Sequence, residues 1–458
     1  MSRRSRGAWR RSTAARPLGE FLEDRRLMSA DSWPGYLSPA ELRSLLRDPL
    51  GYPAVRPNTP VLPYGAPAAT ATYIDPSACI LNGYAVILGA GSFVGPYAIL
   101  DAAGGVVKVG GGTVILDNAA IVANPTQARG AGVPEVFIGD QVEVGYGATV
   151  NGPAVVGEFG AGALPTSIGP GAVIDGGTVQ AGAFVSALAR VGPGVAIPSG
   201  MRVLPGANVT TQAEASDPAL GKVTPATDAD RAALQGSLAA NLSLKAGYVT
   251  LYQGQSVTGP SPGVANSRLG VFNGNLAAIT GSNNQPGSPT ASTRYLPPGP
   301  TPRFPSPSRG LVGASLPNFT ARATGDASIS QRARLAQASL GRRNSIRADQ
   351  GRPIAIGSIA GTGRGVTINA PGGGALAIGQ RFSAGAGSVI LGGAAGTNAI
   401  IGDDVSIGAG AVVRGTSLGA GTVVGPMAYL LNSDFPAGTT IPAGAIYVDG
   451  VLVGHVSR

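Results

Sequence analysis

Aliphatic residues recur every six positions through much of this chain, each followed by glycine or another small residue. One run reads Ile138-Gly139, Val144-Gly145, Val150-Asn151 and Val156-Gly157. After a short break it continues as Ile168-Gly169, Ile174-Asp175, Val191-Gly192, Ile197-Pro198, Val203-Leu204 and Val209. An earlier run holds Ile74, Ile80, Leu88, Val94 and Leu100, and a later one holds Ile401, Ile407, Val413, Leu418, Val424 and Leu430. In the last run a second inward position follows four residues after an anchor, at Val405, Ala411, Thr422 and Ala428. A period of six is neither a helix face nor a simple strand alternation. Short strands with a turn after each satisfy it, and stacked coils of such strands predict an all-β solenoid. In this reading the aliphatic points inward, and the residue after it supplies the left-handed backbone angles of a tight corner.

The pattern breaks once. Thr227 and Asp228 offer an N-cap, Asp230 suits a first turn, and Leu234, Leu238 and Leu242 repeat at four, which predicts an amphipathic helix over 228–252. A stretch rich in Pro, Ser and Gly follows, with eight prolines between Pro286 and Pro307, and reads as linker. Ser330 to Leu340 predicts a short helix, and the six-residue signal resumes near Pro353. Four segments result: a basic arm over 1–69, a solenoid with its helix over 70–255, a linker over 256–352, and a second, shorter solenoid over 353–458.

Composition narrows the chemistry. Among 458 residues there are 72 Gly and 37 Pro, only 5% are aromatic, and hydrophobics at 43% against 12% charged residues argue for a core of small and aliphatic side chains. One cysteine, Cys79, forbids an intramolecular disulfide, and one histidine, His455, forbids any site needing two imidazoles from one chain. No run approaches the roughly 18 apolar residues of a spanning helix. The net charge of +9 divides unevenly: residues 1–28 carry eight Arg against three acids and residues 291–352 carry ten Arg against two, leaving the rest mildly acidic. That distribution does not trace a phosphate backbone, so specific nucleic-acid binding is not expected. Glycine strings such as Gly361 to Gly365 lack the Lys-Ser/Thr of a phosphate loop.

The six-residue pattern resembles the hexapeptide-repeat superfamily of left-handed parallel β-helices, in which three hexads, about 18 residues, make one triangular coil. By that measure 73–211 spans close to eight coils and the second solenoid about four. Within this superfamily the opening Tyr73 to Ala78, the segment Phe137 to Gly157, the close Ile197 to Ala215 and the helix behind it resemble, in sequence and order, the γ-class carbonic anhydrases. The resemblance covers about residues 70–255. It implies a homotrimer whose subunit boundaries hold zinc on three histidines, two of them five residues apart with Gly-Pro after the second. In this chain the paired positions are Tyr146 and Asn151, the latter directly before Gly152-Pro153, and the third is Ala123, with Asn124 beside it. The family's boundary Arg and Asp fall on Leu100 and Ala102, and its active-site Gln on Asp117. Zinc hydroxide needs about three neutral nitrogen or anionic ligands, and Ala, Tyr and Asn do not supply them. No metal or other cofactor is therefore expected.

The segment Phe21 to Ser29 also resembles the Leu-Glu-x-Arg-x-Leu-Leu motif near the start of many exported planctomycete proteins, with Met28 at the final Leu. The resemblances together imply a catalytically inactive, trimeric γ-carbonic-anhydrase-like scaffold, exported to the cell surface or periplasm. Two other readings stay open. One is an enzyme of altered chemistry at the old boundary, its pocket drawn from Asp117, Glu143, Tyr146 and Asn151, with Leu100 and Ala102 nearby. The other is an interaction module whose Arg-rich linker binds an acidic surface or protein.

Overall fold

The computed structural model describes residues 70–123, 135–252, 271–273, 321–325, 327–329, 341–348, 354–371, 374–393 and 398–457, apart from 76, 82–84 and 103. The N-terminal arm with its export-like motif, Asn124, the Pro-rich stretch and the segment Ser330 to Leu340 lie outside them.

The described chain is a β-solenoid of about 12 turns in two stretches, with a helix between them. In the first stretch, successive strands fall in rotation onto three parallel sheets. The first sheet runs from Tyr73–Ile74 through Phe93–Val94, Val114–Ile115, Val142–Val144, Thr166–Ile168 and Phe184–Val185 to Met201–Val203. The second runs from Cys79–Leu81 to Asn208–Val209, and the third from Val86–Leu88 to Ala196–Ile197. Seven parallel strands in each of the first two sheets make seven turns rather than eight. Turns here are not uniformly 18 residues: inward Ile115 and Val144 occupy neighbouring positions on the first sheet although 29 apart in sequence, because residues 123–134 intervene.

The six-residue aliphatics line the interior. Ile74, Val94, Ile138, Val144, Val150, Ile168, Val191 and Val209 belong to one buried cluster, and Ile401, Ile407, Val413, Leu418 and Leu430 to another. Gly157, after Val156, holds the expected left-handed angle at φ +71°, but other glycines that follow an aliphatic have a different task. Gly145 is not left-handed; a Cβ there would stand 2.7 Å from the Ile168 carbonyl oxygen, so glycine is needed for close stacking of coil on coil. The left-handed angle falls two residues later, on Gly147 at φ +63°, in a turn closed by Ala148 N donating to Gly145 O at 3.1 Å. At the same corner of other turns Tyr97, Asn118 and Leu188 hold φ near +58°. Only Asn accepts that angle readily.

The last turn of the first solenoid is closed by helix α1 (Gln212–Ser216), whose Thr211 and Glu214 form a capping box, and by the antiparallel strand Val223–Pro225. Helix α2 (Asp228–Tyr252) then runs back along the first sheet. Thr227 and Asp230 cap its start reciprocally, with Asp230 N donating to Thr227 Oγ1 and Thr227 N to Asp230 Oδ2. Three outward residues of the sheet receive it: Arg202 pairs with Asp230, Glu143 accepts from Ser237, and Tyr73 stacks on Tyr248 at 4.9 Å. From Asp230 to Tyr248 is about 27 Å of helix at 1.5 Å per residue. Six strand spacings of ~4.8 Å come to about 29 Å, so helix and stack run antiparallel and nearly in step.

The second solenoid is longer than about four turns and starts earlier than 353. Asn344–Ala348, assigned by sequence to the linker, is a full strand of its largest sheet, followed by Thr367–Asn369, Val389–Leu391, Val412–Arg414, Tyr429–Leu431 and Ala445–Val448. Strands Ala321–Gly325 and Ala327–Ile329 also join its sheets. Its smallest sheet holds five strands, so five complete turns are present. The early onset escapes the six-residue pattern because Ser345-Ile346-Arg347 offers one inward aliphatic between two polar residues. Among the described residues no helix is long and apolar enough to cross a membrane.

Candidate functional site

The two solenoids lie side by side, and their seam holds the most concentrated buried polar chemistry among the described residues. One wall is the corner between the first and second sheets of the first solenoid, where Tyr97, Asp117-Asn118, Tyr146-Gly147, Gly171, Leu188 and Gly206 recur turn by turn. The other is the outward surface of the sheet that contains Asn344–Ala348 and the strands after it. Register places Ser345, Thr367, Val389, Val412, Tyr429 and Ile446 in one outward row. Arg347 and Asn369 are neighbours in the parallel row beside it. The first row is polar at the start and apolar from the third turn on, and the second, continuing through Leu391, Arg414, Leu431 and Val448, carries one further charge at Arg414.

At the polar end Asp117 is 0% and Arg347 1% exposed, and the two form an ion pair. Ser345 Oγ donates to the second Asp117 oxygen at 2.6 Å, and the Arg347 guanidinium lies 5.6 Å from the centre of the Phe93 ring. A charge taken this far from water is tolerated only when paired and hydrogen-bonded. Around the pair, Asn118 Nδ2 donates to Thr367 Oγ1 at 2.9 Å, Arg343 Nη2 to the Tyr97 carbonyl at 2.6 Å, and Asn369 Nδ2 to the Tyr146 hydroxyl at 2.6 Å. Burial pushes the Tyr97 and Tyr146 phenols well above their usual range, so both are neutral hydroxyls. At the apolar end Leu188, Val389, Val412, Tyr429 and Ile446 share one buried cluster with Leu234, Leu238 and Tyr248 of α2.

Of the residues singled out from sequence, the structure brings Asp117 and Tyr146 to this seam. Glu143 lies on the first sheet under α2, where burial raises its carboxyl pKa although Ser237 donates to it and Arg414 is near. Asn151 is half-buried on the second sheet, its amide 3.5 Å from Asp175 Oδ1. Ala123, Leu100 and Ala102 are elsewhere again: all three pack in the interior of the first solenoid. The candidate residues thus occupy four different surroundings. Ser345 and Arg347 complete the seam from the segment assigned by sequence to the linker, and Asn369 completes it from an outward position of the second solenoid, which a repeat of inward aliphatics does not single out. The sequence signal for them is the polar–apolar–polar alternation around Ile346 and around Ile368.

No protein-family model and no curated protein matches this chain. The site therefore has to be read from its own groups. Among the described residues no three His, Cys, Asp or Glu side chains stand together as metal ligands. The strongest carboxylate at the seam, Asp117, is already neutralised by Arg347. A shallow groove of about 610 Å³ lies on another sheet of the second solenoid, lined by Gly361, Thr362, Ser383 and Ser406 among others. It contains no titratable side chain.

Proposed function

We propose that this protein is a non-catalytic scaffold related to the γ-class carbonic anhydrases, in which the position of a former metal ligand has been turned to holding two solenoids together. The observation that carries the reading is Tyr146. Its hydroxyl is engaged by Asn369 of the second solenoid, and burial opposes the phenolate that metal binding would require. Asp117, the nearest carboxylate at the seam, is committed to Arg347 and Ser345.

The homotrimer and the exported location implied by the resemblances remain part of this proposal. Self-association has surface to use: the third sheet of the first solenoid carries outward Ile87 at 52% and Val155 at 39% exposure, with Phe159 at 42% beside them. The interaction-module reading is weakened by the fate of two linker arginines, since Arg343 and Arg347 are spent on the first solenoid itself.

Purifying the full chain without a metal-affinity tag tests the proposal. Metal per chain by mass spectrometry should be far below one, CO₂ hydration should not exceed background, and light scattering should give three times 45.3 kDa. Zinc near one per chain with chelator-sensitive hydration overturns the scaffold reading, and a monomeric mass removes the trimer from it.

A further inference from the structure

A solenoid repeats along its axis, so two solenoids docked side by side face a problem of registration: sliding one past the other by a single turn presents nearly the same surface. The apolar end of this seam shows the ambiguity directly. A Cβ on Gly147 would stand 3.9 Å from Val389 Cγ2, and one turn further on a Cβ on Gly171 would stand 3.9 Å from Val412 Cγ2. Gly171 N donates to Tyr146 O, and Val389 pairs with Val412, so each contact is the other moved by one turn. Apolar packing of this kind favours docking but discriminates weakly between steps.

The polar end does not repeat. Asp117 meets Ser345 and Arg347, while the next strand of the second solenoid offers Thr367 and Asn369 at the equivalent positions. A slip of one turn that brings Thr367–Asn369 to Asp117 leaves the carboxylate opposite an amide and Arg347 without its partner, the arrangement that buried charges least tolerate. We propose that the Asp117–Ser345–Arg347 cluster is a registration key that selects one of several near-equivalent alignments between the two solenoids. It acts as a single buried polar residue acts in a coiled coil, where it specifies register rather than adding stability.

The test moves the key by one turn. In the full chain, Ser345→Thr, Arg347→Asn, Thr367→Ser and Asn369→Arg transfer the pair to the next strand without changing composition. Spin labels on Ile87→Cys and Thr440→Cys, both exposed and near opposite ends of the two stacks, report axial sliding as a distance, with Cys79→Ala removing the native thiol. Excess unlabelled chain suppresses distances between copies. The unmodified seam should give one narrow distance, and the transposed chain should give one displaced by several ångström, close to one strand spacing of ~4.8 Å. A second variant, Asp117→Leu with Ser345→Ala and Arg347→Met, erases the key with apolar groups and should give two or more distances separated by such steps. An unshifted distance in the transposed chain, or a single native-like distance in the erased one, overturns the proposal. A broad, stepless distribution in the transposed chain overturns it too, because the pair would then hold the seam without choosing its alignment.

Discussion

Glu143, on the strand Val142–Val144, and Gly145, just past its end, face opposite demands. Gly145 exists for lack of a side chain, since the next turn's backbone occupies the space a methyl group would take. Glu143 brings a carboxyl group under helix α2, where burial favours its neutral form. A raised carboxyl pKa means that the folded protein keeps a proton the unfolded chain has released. Stability is therefore lost as pH rises from the ordinary value of 4.5 through the raised one, and is level above it. Glu143→Gln keeps the hydrogen bond to Ser237 without the charge. The variant should match the parent near pH 4 and exceed it at pH 8, with about 1.4 kcal/mol gained per unit of elevation. Urea midpoints across that range are the check, and equal midpoints at pH 8 would mean that Glu143 ionises without penalty.

At the scale of elements, helix α2 is the feature sequence described most completely. Its residues 228–252 and its cap were legible because Thr227, Asp230 and the leucines at four form a local signal that tertiary contacts reinforce. Its partner surface was not legible, because Tyr73, Glu143 and Arg202 belong to three different turns. Leu238 joins helix and seam in one cluster, at 5% exposure. Leu238→Ala should cost about 2–4 kcal/mol, seen as a lower thermal midpoint. A change below about 1 kcal/mol would show that the helix lies on the sheet without contributing packing. The strands show the converse. Their inward residues were found by period, but the turn count was not, since insertions such as 123–134 lengthen a turn without altering its anchors.

At the scale of the molecule, the seam makes one body of two solenoids, and its buried ion pair sets what a single change can do. Asp117→Asn leaves Arg347 buried without a countercharge, so denaturant titration should show a loss of about 3–5 kcal/mol. A loss near zero would mean that the seam opens to water around Arg347. What the sequence alone determined is everything with a local period: the solenoid class, the interior aliphatics, the helix and its start, and the absence of histidines for an imidazole site. Those are set by short-range stereochemistry, in which each residue's inward or outward role follows from its place in a repeat. The tertiary structure decided what repeats cannot encode: which flank of the first solenoid is covered, where the second begins, and why Asp117 and Tyr146 are polar. Their partners Arg347, Ser345 and Asn369 lie more than 220 residues away, and no periodicity in the chain links positions so far apart.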